Sequence, residues 1–175
     1  LAMGTFDDVN AISKIAVNTH LAGAAGTVAA AVVTRLLGGK TDIVMMLNGA
    51  LAGLVAITAE PLTPSPVLAI VIGAIGSLIM YFGTKFLESK KIDDVVGAIP
   101  VHMFAGIFGT LVVPISNPDT NFGTQLTGVI AVCLFSFILS YITFRVLKQT
   151  IGLRISAQAE KLGTDVAEVG VKAYA

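Results

Sequence analysis

Asp93-Asp-Val-Val-Gly97-Ala-Ile-Pro100-Val-His102-Met-Phe-Ala-Gly106-Ile-Phe-Gly109-Thr-Leu-Val-Val-Pro114 is the stretch on which the fold turns. From Val95 to Pro118 no side chain carries a formal charge, a run long enough to cross a bilayer as a helix. His102, the ionisable group inside it, stands seven residues past Val95. At the helical rise it lies roughly 10–12 Å into a hydrocarbon core about 30 Å thick. A group there is costly unless it faces a cavity or a partner, so His102 is a candidate functional residue. The alternative is a packed residue that hydrogen-bonds between helices. Ala98, His102, Ala105/Gly106 and Gly109 recur at helical spacing. They predict one small-residue side, where a helix approaches closely or a narrow lumen opens beside the imidazole. Pro100 removes a backbone hydrogen bond two residues before the histidine. Asp93 and Asp94 read as helix caps at the positive end of the dipole.

Working outward, the chain of 175 residues is 55% hydrophobic and 13% charged. A soluble domain carries about a quarter charged residues, so the composition is that of a membrane protein. A formal net charge of zero lacks the basic excess of a nucleic-acid binder. The single cysteine, Cys133, allows neither a disulfide framework nor a cysteine metal site.

Five uncharged runs, 15–34, 43–59, 61–84, 95–118 and 120–144, predict an all-α, polytopic helix bundle. The expected spans are 11–37, 43–59, 63–84, 94–116 and 122–147, in a membrane domain of residues 1–150 with a tail of 151–175. Ten of the eleven basic residues lie on alternate connections or the tail. By the positive-inside rule those segments are cytoplasmic, with the first residue outside and the tail inside. An outside start with no signal peptide and no initiator Met reads as the C-terminal portion of a longer membrane protein.

Within the first two runs, Ala22/Gly26/Ala30 and Gly49-xxx-Gly53 predict close-packing faces. Pro61, Pro64 and Pro66 predict an extended outer turn. The fifth run, with Phe135, Phe137, Tyr141 and Phe144, reads as an outer, partly lipid-facing helix. In the tail, Ile155, Ala159, Leu162, Val166 and Val169 keep helical spacing, but Gly163 and Gly170 interrupt it. Short amphipathic pieces and a solvated tail both fit that pattern.

No phosphate-binding loop, nucleophile–base pair or metal-ligand spacing is present, so an enzyme and a metal centre are not expected. A haem between His20 and His102 fails on height unless the helices tilt strongly. His20 reads as lying about 8 Å below the outer surface, which leaves on the order of 10 Å of height between the two rings. No cofactor is expected, and His20 reads as an interfacial residue.

Taken together, several stretches resemble the ammonium transporter family, which includes methylammonium permeases and Rhesus-type proteins. They are Val17-Asn-Thr-His-Leu-Ala22, Gly49-Ala-Leu-Ala-Gly-Leu-Val-Ala-Ile-Thr58 and Asp93-Asp94 eight to nine residues before His102. Ile151-Gly-Leu-Arg-Ile155, Gly163-Thr-Asp165 and Ala173-Tyr174 complete the set. The resemblance implies that the five spans match the seventh to eleventh of an eleven-helix, inverted-repeat transporter, with residues 1–3 following the sixth. It implies that His102 is the second histidine of a pore pair, and that Ala98, Leu51 and Thr58 line the path. The outer gate and the first pore histidine would belong to the other half. Gly97 stands where many members have Asp, and Met103 where many have Gly.

The implied activity is conduction of ammonia after ammonium has lost a proton, with methylammonium as a related substrate. The implied assembly is a homotrimer in membrane lipid whose cytoplasmic face a P-II signal protein can plug, with no nucleic acid involved. Gly152 and Arg154 are implied to couple the tail to subunits or to a regulator. Two other readings stand beside transport: an ammonium-sensing module of a signalling protein, and a structural membrane subunit.

Overall fold

The computed structural model describes residues 4–173, so the expectations placed on residues 1–3 and on Tyr174 fall outside it. Regular structure among the described residues is helical throughout. The order is α1 (Phe6–Gly38), α2 (Ile43–Thr58), α3 (Pro66–Ser89), a π-helical turn (Ile99–Phe104) continuing into α4 (Ala105–Val112), and a 3-10 turn (Val113–Ile115). Then come α5 (Phe122–Thr150), α6 (Ala157–Leu162) and a second π-helical turn (Asp165–Val169). Three helices, α1, α3 and α5, are long and apolar enough to cross a membrane. Ile43–Thr58 and Ile99–Ile115 are apolar but shorter. At 16 residues, α2 rises about 24 Å, short of a core of about 30 Å.

Several expected boundaries move, because hydropathy marks the hydrocarbon while capping marks the helix. α1 begins at Phe6 rather than at 11, since Thr5 and Asp8 form a capping box ahead of it. α3 begins at Pro66 behind the N-cap Ser65, its proline sitting where no donor is needed. It runs on to Ser89, past the expected end at 84, with Lys85 and Glu88 paired at 2.9 Å on its last exposed turn.

The chain divides into two compact units, one up to Ile130 and the other from Ala131. In the first, α1, α2 and α3 meet backbone to backbone. The carbonyl of Ala22 lies where methyl groups on Gly53 of α2 and Gly73 of α3 would have to go. One level further along, Gly26 sits against Gly49, and the Ser77 hydroxyl donates to the Gly26 carbonyl at 2.7 Å. Both predicted small-residue faces are buried here. Ala52, Met80, Val101 and Ala105 form the cluster that seats the segment carrying His102.

At the opposite end from the Asp94 turn, the proline-rich connection is tied down by polar groups. Asn18 Nδ2 donates to the carbonyls of Pro61 (2.8 Å) and Pro64 (2.9 Å). The Glu60 carboxylate accepts from the Leu62 and Thr63 amides and from Asn117 Nδ2.

In the second unit, the glycines that interrupt the tail pattern end its helical pieces. Gly163 (φ 95°) follows α6, and Gly170 (φ 76°) follows the π-helical turn. α5, which crosses the division, has no buried residue. Its Phe135, Phe137, Tyr141 and Phe144 are all exposed.

Candidate functional site

The site is assembled around the start of the His102 segment, and the start differs from expectation. The helix was expected from residue 94, but Asp93–Gly97 form a turn and helical structure begins at Ala98. Gly97 is the cause, with φ 75°, a left-handed conformation that glycine adopts without steric cost. His102 therefore stands four residues past the first helical residue, nearer the helix start than a count from Val95 implies. The Asp94 carboxylate accepts from the amides of Ala98 (2.9 Å) and Ile99 (2.8 Å), two donors with no partner inside the helix. Asp93 lies exposed beside it, and with Asp94, Glu88 and Thr84 it lines a cavity of about 220 Å³.

Asn48 joins this turn to α2, its side-chain amide donating to the Val96 carbonyl at 3.1 Å. A methyl group on Gly97 would stand 2.8 Å from the same amide nitrogen. Sequence reasoning did not single out Asn48. Its signal is that it is the sole polar side chain between Ile43 and Ile57.

Past the turn the backbone widens. Pro100 has no N–H to give, and its ring crowds the carbonyl four residues back, so Ile99–Phe104 coil as a π-helical turn. The Ala105 amide bonds to the Pro100 carbonyl, five residues away, as well as to that of His102. This corrects the expected face. Val101, Ala105 and Gly109 are buried against the bundle, with Gly109 on the Ala56 backbone. Ala98 and His102 are exposed, and Gly106 is half-buried. The small residues thus divide between two sides: one packs, and the other presents the imidazole.

Leu51, 46% exposed, and Thr58 also lie on open surface of this unit. The Thr58 hydroxyl donates back to the Leu54 carbonyl of its own helix. Met103 is 45% exposed next to the histidine. His20 is exposed on α1, its Nδ1 at 2.7 Å from the Ala16 carbonyl. Among the described residues no group of three or more His, Cys, Asp or Glu side chains is arranged to hold a metal ion.

What this geometry offers is an uncharged helical wall bearing one ring that both donates and accepts. The sequence profile of the Ammonium Transporter Family matches residues 3–174. The chain belongs to the ammonium transporter family.

Among individual relatives of this ammonium transporter family chain is the ammonium transporter Amt2 of Archaeoglobus fulgidus. It is 40% identical over 183 residues, covering 93% of the chain and 39% of that protein. The putative ammonium transporter sll1017 of Synechocystis is 37% identical, covering 93% and 38%. A solved structure described as a Sensor Amt Protein superposes with a TM-score of 0.83 at 34% identity, covering 90% of the chain and 42% of that structure. The Rh50 protein of Nitrosomonas europaea, from a study of conduction by the Rhesus family of channels, gives 0.74 at 30%, covering 97% and 48%. The chain thus spans about two-fifths of the length of the curated relatives it matches. The family is one of transporters rather than enzymes, and the long apolar helices make this an integral membrane chain.

In the tail, Gly152 (φ 83°) closes α5, its amide bonded to the Leu147 carbonyl at 2.9 Å. Arg154 pairs with Glu160 at 3.1 Å, both side chains being well exposed.

Proposed function

We propose that the intact protein carries ammonium across the membrane, releasing a proton from the cation and conducting ammonia past His102. The observation that carries this reading is an exposed imidazole on a wall without formal charge, in a chain matched by the ammonium transporter profile almost end to end. Ammonium is small and strongly hydrated, so taking the ion through an apolar lumen is expensive, whereas neutral ammonia passes more cheaply. An imidazole titrates near neutrality and can give or take a hydrogen bond along such a path.

On this reading Ala98 and Leu51 are apolar wall, Thr58 is a hydroxyl nearer the outer end, and Asp93 and Asp94 fix the cytoplasmic start of the His102 helix. The five spans are the seventh to eleventh of the eleven-helix transporter, with the N-terminus outside and the tail cytoplasmic. The protein works as a homotrimer in lipid, takes methylammonium as an analogue, and meets a P-II signal protein at its cytoplasmic face. Gly152 and Arg154 link the tail to that regulation or to a neighbouring subunit.

The test is His102→Ala in the intact protein, read as flux and thermal stability together. A pore role predicts strongly reduced ammonium flux, or leaky cation passage, with a nearly unchanged melting point. A packing role predicts the reverse, a loss of stability of about 0.6–2 kcal/mol with normal transport per folded protein. That result would sink the assignment.

A second reading is an ammonium sensor, favoured by the likeness to the solved Sensor Amt Protein. Uptake of labelled methylammonium into vesicles separates the two. A protein that binds the cation at saturable sites yet accumulates none inside is the sensor.

A further inference from the structure

We propose that Asn48 is a positioning residue for His102: its side chain supplies the hydrogen-bond donor that Pro100 lacks, and so fixes the bearing of the imidazole. For its consequence in transport the proposal rests on the reading given above, and its tests keep the two apart.

The argument starts from the proline. In a regular helix the amide at position 100 would donate to the carbonyl four residues back, that of Val96. Proline has no such donor, so the Val96 carbonyl loses its backbone partner. The next bond of the series is in place, from the Val101 amide to the Gly97 carbonyl at 3.1 Å. The gap is therefore one bond wide, and the side-chain amide of Asn48 fills it, donating to the Val96 carbonyl at 3.1 Å. A substitute donor from a neighbouring helix is what lets a proline sit in an apolar span. The same bond accounts for Asn48, a polar side chain in a stretch of α2 otherwise apolar from Ile43 to Ile57.

The bond bears on His102 because of where it falls. Asn48, Ala52 and Ala56 recur every fourth residue, on one face of α2. Ala56 backs Gly109, and Ala52 packs in the cluster with Val101 and Ala105. Those contacts are non-directional and leave the segment free to turn. Among the described residues, the Asn48 bond is the one side-chain hydrogen bond between residues 93–112 and another element. The Asp94 cap lies wholly within the segment, so it orders the helix start without fixing it to α2. At its far end the π-helical turn closes on the Ala105 amide, shared between the Pro100 and His102 carbonyls. With the Val96 end released, the turn that carries the ring can rotate.

The experiment uses the intact protein, isotope-labelled at histidine, with the His102 signal identified by its loss in His102→Gln. Asn48→Leu keeps the branched shape and removes the donor, whereas Asn48→Gln keeps a donor on a longer arm. Asn48→Leu should shift the His102 ring signal and leave that of His20 in place. It should also lower maximal methylammonium uptake about tenfold with little change in KM. Asn48→Gln should recover both in part. In Pro100→Ala, where the backbone donor returns, adding Asn48→Leu should move the signal little further. An unmoved His102 signal in Asn48→Leu, or an equal shift with and without Pro100, overturns the proposal. If Asn48→Leu alone does not fold, Pro100→Ala should restore folding, and failure to do so overturns it as well. Wild-type uptake in Asn48→Leu, where His102→Ala lowers it, overturns the positioning role. Wild-type uptake in both variants is instead the failure of the transport reading.

Discussion

Gly97 combines two constraints that a side chain cannot satisfy together: a left-handed backbone and a Cβ position 2.8 Å from Asn48 Nδ2. Gly97→Ala should therefore lower stability by about 1–2 kcal/mol. The drop is read from thermal melting in detergent, and a melting point at or above wild type would contradict the account of this turn. Read from sequence, Gly97 was a place where a carboxylate is missing; the structure shows a backbone that needs glycine. Asp165 offers a different test. The Ala173 amide, donating at 2.8 Å, and then the Val166 amide hold its carboxyl below the usual carboxylate range. A depressed value means the contact contributes above the unfolded value and is lost as pH falls through the lowered folded one. Exchange protection of the Ala173 amide should thus persist at neutral pH and vanish at strongly acid pH. Asp165→Asn should remove that dependence, and protection indifferent to pH would refute the link. Asp94 was legible as a cap because a carboxylate stands just ahead of an apolar run, and His102 drew notice as the one ionisable group within that run. Glu60 was as isolated, the one charge between Asp42 and Lys85, yet hydropathy filed it as a mere break between spans. Its job, gathering amides from its own turn and from Asn117, depends on a contact 57 residues away that no local pattern encodes.

At the scale of the helices, α1, α2 and α3 are held by contacts without side chains, where glycines meet carbonyls. Such seams gain from packing and from weak Cα–H···O contacts rather than from burial out of water. Gly53→Val would drive its branches into the Ala22 backbone, which helix geometry holds in place. It should cost about 1–3 kcal/mol and lower the yield of folded protein, whereas Gly128→Val, in open space on α5, should not. Equal yields from the two variants would refute the seam. The small-residue strips were readable because their spacing is that of a regular α-helix. The His102 face was not, because the same wheel was carried past Pro100, where the helix ceases to be regular. Helix ends were misread for a related reason: caps such as Thr5 and Ser65 are polar, and a hydropathy reading ends before it reaches them.

The unit up to Ile130 joins its helices along glycine seams and leaves apolar surface open, with all-apolar side chains lining a groove of about 690 Å³ along α1 and α3. Its proposed orientation can be read by labelling single cysteines in the intact protein, after Cys133→Ser, with an impermeant thiol reagent applied outside. Asp119→Cys should react and Lys90→Cys should not; both positions are exposed, whereas Pro64 is buried and unsuitable. Reaction at Lys90 alone would invert the topology. The widened turn at Ile99–Phe104 has a consequence of another kind, in the arithmetic of insertions and deletions. A π-helical turn holds one residue more than the α-helical register beside it needs, so the segment carries a spare position. Removing Met103 would let the chain close as an ordinary helix with Ala105 and Gly109 still seated, and would swing the imidazole by about 100° around the axis. Within this family, a relative one residue shorter here would keep the positions of Ala105 and Gly109 packed, and would turn those of Val101 and the histidine together.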